Sequence, residues 1–171
     1  MTIADATSLI ETAFRKVSSI EHWADLGCGN GLFTLALANQ LAPGSMVYAV
    51  DNAVNVLPSN DRNNIQFVNA DFEKEQLPFN GLDGILMANS LHFVKDKAAL
   101  LYTLIHHLNN DGRFIIVEYE SEEANPWVPY PVTFKKLEML FSGLGFTRIT
   151  KLGERKSIFG PRMMYSCLVE K

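Results

Sequence analysis

The segment that most limits how this chain can fold is Ala24-Asp25-Leu26-Gly27-Cys28-Gly29-Asn30-Gly31, which carries glycines at three alternate positions. It closes a short run beginning at His22 and opens onto the strongly apolar stretch 32–41. A buried strand that turns sharply into a helix has this form. Glycine at such a turn lets the backbone bend and pass close to a ligand, because no side chain blocks the approach. The rest of the chain must then supply strands and helices to cover both elements.

It does so by alternation. Within residues 4–17, Ala6, Leu9, Ile10, Ala13, Phe14 and Val17 recur at spacings of three and four, which predicts a helix with one apolar face. Strands are expected at 22–26, 46–51, 65–70, 82–88 and 114–119, with helices over 32–41 and 95–108. The runs 82–88 and 114–119 are almost continuously apolar, as in strands buried on both faces of a parallel sheet. Pro58-Ser59-Asn60-Asp61 interrupts a short helix between the second and third strands, and Asn109-Asn110-Asp111-Gly112 ends the later one. Residues 120–132 are acidic, then rich in proline and aromatics, and 133–144 form a helix capped by Thr133 and closed at Gly145. Strands at 146–152 and 163–170 follow with no room for a crossover, so they pair antiparallel. The expectation is an α/β, doubly wound, mostly parallel seven-stranded sheet with a C-terminal antiparallel hairpin. No repeat or linker divides residues 1–171, which read as a single domain.

Composition narrows the function. A net charge of −4 disfavours a chain that lives on nucleic-acid phosphates, although a local basic patch stays open. Cys28 and Cys167 form no C-x-x-C pair, and His106 and His107, adjacent on a helix, diverge by about 100°, so no metal site is expected. No apolar run is long enough to span a bilayer and no leader pattern opens the chain, so a cytoplasmic protein without a membrane partner is expected.

The glycine turn alone serves nicotinamide, flavin and S-adenosylmethionine binders alike. Three additions sharpen it. Asp25 stands two residues before the first glycine, where a carboxylate suits a cationic ligand and repels a pyrophosphate. Leu32 occupies the place of a dinucleotide fingerprint's third glycine. Asp51 and Asp71 follow the second and third strands, so the three carboxylates are expected at one edge of a parallel sheet, converging on the crevice where ligands sit.

The run Asp25 to Gly31, together with Asp51, Asn69-Ala70-Asp71-Phe72 and Met87-Ala88-Asn89-Ser90-Leu91-His92-Phe93, resembles the class I S-adenosylmethionine-dependent methyltransferases, in their small-molecule-type group. The resemblance runs from about Trp23 to the end of the chain, and the family's last two strands match the terminal hairpin. It implies that S-adenosylmethionine is the cofactor, with S-adenosylhomocysteine the product. Gly27, Cys28 and Gly29 would run beneath it and Asp25 would organise its methionine end. Asp51 would hold both ribose hydroxyls, Asp71 and the Phe72 N–H would meet the adenine, Asn89 would face the methionine, and Asn52 is counted among the cofactor-binding residues. Residues 89–92 are Asn-Ser-Leu-His rather than Asn-Pro-Pro-Tyr, which disfavours the subgroup methylating nucleobase or amide nitrogens.

His92 follows the fourth strand where a methyl acceptor should approach; it reads as the candidate catalytic base, or else as a capping or packing residue. Cys28 reads chiefly as a small packing residue. Trp127 to Tyr130 read equally as a cap over substrate or as a loop packed on the sheet edge, and Arg155, Lys156 and Arg162 as a solvated loop sooner than as a contact for an anion. A small-molecule acceptor is expected, with a macromolecular one open. Only about twenty residues precede the first strand, so a homodimer or partner chain could complete the acceptor pocket. Two other functions stay in view: a cofactor-binding partner subunit inactive alone, and an NAD(P)-dependent oxidoreductase.

Overall fold

The computed structural model describes residues 1–14, 19–54, 57, 64–157 and 162–171. Strands β1 (His22–Leu26), β2 (Met46–Asp51), β3 (Ile65–Asn69), β4 (Leu82–Ala88) and β5 (Leu108–Tyr119) run parallel. β7 (Met163–Glu170) lies antiparallel between β5 and β6 (Arg148–Lys156). All seven form one sheet in the order β3-β2-β1-β4-β5-β7-β6, which is the expected doubly wound architecture with its terminal hairpin. The chain winds outward from β1 to β3 and then returns to lay β4 on the other side of β1. A crevice opens at such a reversal, beyond the carboxyl ends of the strands.

Helices cover both faces. α1 (Ile3–Ile10) and α2 (Leu32–Gln40) pack on one, with Trp23, Val47, Leu86 and Ile115 from the sheet. α3 (Lys97–Ile105) and α4 (Phe134–Gly143) pack on the other, with Ala24, Leu26, Ile85 and Ile116. The period-two alternation of a strand therefore sends Trp23 and Asp25 toward α2, and Ala24 and Leu26 toward α3. Trp23 is fully buried and lies across Gly84 of β4, where an added Cβ would stand 2.3 Å from its ring. Gly84 is thus a packing glycine, not a turn glycine.

Boundaries differ where local chemistry overrides periodicity. The helix expected over 4–17 is α1, started by a Thr2–Asp5 capping box, and then a 3-10 turn over Glu11–Phe14; Val17 lies outside the described residues. So does the Pro58–Asp61 interruption. α3 is shorter than 95–108, because Asp96 caps its start and the His106 and His107 N–H groups fold back onto Thr103 and Leu104. Asn109–Gly112, expected as a loop, instead begins β5, joined to β4 across a register shift between Leu82 and Gly84. β6 begins at Arg148 and runs on to Lys156, past the expected end at 152. α4 begins after Thr133, whose hydroxyl caps it as expected. Among the described residues no helix is long and apolar enough to cross a membrane.

Candidate active site

The glycine turn is pinned to the neighbouring strand from both directions. Gly27 N–H and Cys28 N–H both donate to the Val50 carbonyl, at 2.8 and 3.0 Å, and Gly29 N–H donates to Asp51 Oδ2 at 2.8 Å. Asp51 Oδ1 accepts from Ala53 N–H at 2.9 Å. The two glycines serve different purposes. At Gly27 (φ +77°) an added Cβ would stand 2.5 Å from Ser90 Cβ, so glycine is what lets the end of β4 close against the turn. There Ser90 Oγ donates to the Leu26 carbonyl at 2.6 Å. At Gly29 (φ +52°) nothing lies within 4 Å, and the missing side chain leaves open space.

That space belongs to a cleft of about 530 Å³. Of the positions singled out in the sequence, Gly27, Gly29, Asp51 and Asn52 line it, and so do Asp71, Phe72 and Asn89. Asp71 accepts from Lys74 Nζ at 2.7 Å and from Glu73 N–H at 3.1 Å; the Lys74 ammonium is the main cause holding its carboxyl below the usual range.

Three of the singled-out positions sit elsewhere: Asp25, Cys28 and, beyond β4, His92. Asp25 pairs with Ala49, short of the sheet edge where Asp51 pairs with Asn69. It is 1% exposed and accepts from Thr34 Oγ1 of α2 at 2.6 Å. Its Oδ1 is buried with no hydrogen-bond partner among the described residues. Burial, reinforced by the Asp51 charge and opposed by the Thr34 hydrogen bond, pushes its pKa up to about 7. The expected convergence of all three acids on the crevice is therefore corrected: Asp51 and Asp71 reach the cleft, whereas Asp25 lies beneath the turn and braces it. Cys28 is likewise buried and off the cleft, and burial pushes its thiol up to about 12. Its side chain is packing, and no thiolate nucleophile is available there.

Beyond β4 the backbone is held in an uncommon shape. Asn89 (φ +56°) is the one non-glycine at positive φ among the described residues, and its N–H donates to the Val117 carbonyl at 2.8 Å. Its Oδ1 is buried with no partner among those residues. A residue held at positive φ with an orphan acceptor on a cleft wall is a candidate ligand contact. The 3-10 turn Leu91–Phe93 follows. Phe93 lines the cleft, whereas His92 is buried behind it, with ring centroids 4.5 Å apart.

His92 has a partner that the sequence reading did not pick out. Its N–H donates to Glu118 Oε1 at 3.0 Å and its Nδ1 lies 2.6 Å from Glu118 Oε2, with both side chains buried. An acid after the apolar run Phe114–Val117 was the available signal. The 120–132 segment docks on the same turn, since Tyr130 N–H donates to the His92 carbonyl at 2.9 Å. Lys97 Nζ ties the two, donating to the carbonyls of Val94 (2.8 Å) and Tyr130 (2.7 Å). Trp127 is left 82% exposed. Of the three basic residues flanking the hairpin loop, Arg155 pairs with Asp5 at 2.9 Å, Arg162 approaches Glu123 at 3.9 Å and Lys156 is exposed.

The family described as a methyltransferase domain matches residues 24–116, from within β1 into β5. The chain belongs to that family. This membership sets the nicotinamide-dependent alternative aside, in keeping with Leu32 where a third glycine would stand. The methyltransferase domain is 32% identical over 110 residues to the ubiquinone/menaquinone biosynthesis C-methyltransferase UbiE of Ectopseudomonas mendocina, covering 60% of this chain and 43% of the relative. It thus spans about two fifths of that relative's length. Among solved structures it resembles Burkholderia thailandensis 1,6-didemethyltoxoflavin-N1-methyltransferase, with a TM-score of 0.72 and 19% identity over 99% of this chain and 77% of that one. A SAM dependent methyltransferase from Aquifex aeolicus matches with a TM-score of 0.68 and 15% identity, covering 99% of this chain and 98% of that one. At these identities the two structures speak for the fold.

Proposed function

We propose that this methyltransferase domain, taken as one unit over residues 1–171, binds S-adenosylmethionine in the cleft and methylates a small-molecule acceptor, leaving S-adenosylhomocysteine. The observation that carries the reading is the cleft wall itself, where an open glycine, an oriented carboxylate and an orphan amide oxygen meet at the switch point.

The residues fit the cofactor. Gly29 leaves room for a ligand to lie against bare backbone. Each Asp51 oxygen accepts one backbone N–H and keeps capacity for a second donor, which suits a vicinal diol. Asp71 and the Phe72 N–H would take the adenine end, with Asn52 alongside, and Asn89 Oδ1 would accept from the ammonium of the methionine end. Gly27, Cys28 and Gly29 contribute backbone, and Asp25 acts from below by tying the turn to α2. When bound, the sulfonium supplies an already activated methyl group, so alignment and exclusion of water are what the protein must add.

The small-molecule class is supported by the names of the UbiE and toxoflavin relatives. Residence in the cytoplasm belongs to the same reading, and the free, buried thiols Cys28 and Cys167 suit a reducing compartment. Titration calorimetry with S-adenosylmethionine, S-adenosylhomocysteine and NAD⁺ tests the proposal. Both nucleosides should bind and NAD⁺ should not; heat from NAD⁺ alone, or from none, would overturn it. Binding without turnover over a broad acceptor screen would favour the partner-subunit alternative, or a homodimer that completes the acceptor pocket.

A further inference from the structure

We infer that Asp25 is a specificity-determining residue for the methyl donor: from beneath the glycine turn its carboxylate favours cationic S-adenosylmethionine over the product S-adenosylhomocysteine by charge, without touching either. The inference rests on the cofactor reading above and adds to it how the site tells donor from product.

Asp25 is a buried acid with no countercharge. It is 1% exposed, and among the described residues it accepts one side-chain hydrogen bond, from Thr34 Oγ1, while Oδ1 stays bare. None of their ion pairs includes it. Acids this deep are ordinarily paired. The elements packed against Asp25 supply no cation. α2 carries no titratable side chain, and β2 and β4 set Ala49 and Leu86 beside it. Its titratable neighbours are Cys28 in the turn and Asp51 at the end of β2, and neither bears positive charge in any protonation state. The turn offers no amide either: the Gly27 and Cys28 N–H groups are spent on the Val50 carbonyl, and that of Gly29 on Asp51.

The open side is the cleft, which Gly27 and Gly29 line above Asp25 with backbone alone. Donor and product share adenine, ribose, ammonium and carboxylate, and differ by one positive charge at sulfur. Away from water such a charge is felt over several ångströms. An ionised Asp25 therefore favours the donor, whereas a protonated one makes no distinction. By linkage, donor binding draws the Asp25 proton off more strongly than product binding does. The ratio of donor to product affinity must then rise with pH through the range, about 7, to which burial has pushed this acid.

Calorimetry with each nucleoside, at about pH 5.5 and about pH 8.5 on either side of that range, reads the ratio without any acceptor. It should rise several-fold with pH in the wild type and stay level in Asp25→Asn, which keeps an acceptor for Thr34 and every other titratable group of the cleft. A level ratio in the wild type, or an equal rise in the variant, overturns the inference. Thr34→Val removes the hydroxyl that favours the ionised form, so the rise should move to higher pH; an unmoved or lowered rise would contradict the assignment. A measurement on the wild type alone covers the case of a variant that does not fold. The Asp25 side-chain ¹³C resonance should titrate at lower pH with S-adenosylmethionine bound than with S-adenosylhomocysteine, and coincident or reversed midpoints overturn the inference. Failure of both nucleosides to bind would sink the cofactor reading as well, whereas binding of both at a pH-independent ratio sinks this inference alone.

Discussion

Gly29 N–H points at Asp51 Oδ2 over 2.8 Å, so the turn after β1 and the acid at the end of β2 form one hydrogen-bonded unit. The same unit sets both the shape of the cleft floor and the direction of its main carboxylate. Asp51→Ala should weaken S-adenosylhomocysteine binding by about 1.5–3 kcal/mol, the range for hydrogen bonds to a charged group. Calorimetry checks this, and an unchanged affinity would remove Asp51 from the ribose role.

The two cleft glycines should respond differently to alanine. Gly29→Ala meets no neighbour, so its stability cost should be the left-handed backbone alone, about 1–2 kcal/mol, while its methyl enters the cleft and lowers nucleoside affinity. Gly27→Ala adds a collision with Ser90 and should cost clearly more stability. Urea denaturation ranks the two; equal costs would contradict the assignment.

Asp25 should make stability fall as pH rises. Its folded pKa, near 7, stands above the unfolded value near 3.8, so the folded chain keeps a proton that the unfolded chain has lost across that window. Stability from this group is full below about pH 4 and is lost by about pH 7. Asp25→Asn, which still accepts from Thr34, should flatten the decline. Parallel stability curves for the two proteins would show that Asp25 does not titrate there.

At the far edge of the sheet, Glu21 accepts from Arg113 at 2.9 and 3.0 Å and from Trp23 Nε1 at 2.8 Å, with all three side chains largely buried. Glu21→Ala leaves Arg113 unpaired and should cost about 3–5 kcal/mol of stability. Nucleoside affinity, measured where the variant is folded, should not change. A loss of affinity would mean that the far edge communicates with the cleft.

Much of this was legible in the sequence because it is local. The strand–turn–helix at residues 22–41 is written in apolar runs and glycines, and the terminal hairpin follows from the lack of room for a crossover. Asn109–Gly112 misled because these turn-forming residues are held in β5 between Leu108 and Arg113, which pair with Leu82 and Gly84 of β4 on either side of an irregularity, a tertiary effect. The depth of Asp25 was hidden for a related reason: strand alternation puts it on the Trp23 side, under α2, and only packing shows that this side is closed. The His92–Glu118 pair joins residues 26 apart and depends on the β4–β5 register, which spacing alone does not reveal.

The most direct test of the central claim is amide chemical-shift mapping with S-adenosylhomocysteine on the ¹⁵N-labelled chain. The account predicts saturable shifts at Gly27, Gly29, Asn52, Phe72 and Asn89, with Glu21, Ser45 and Arg113 at the opposite edge unmoved. Shifts confined to that opposite edge, or none at saturating nucleoside, would contradict it.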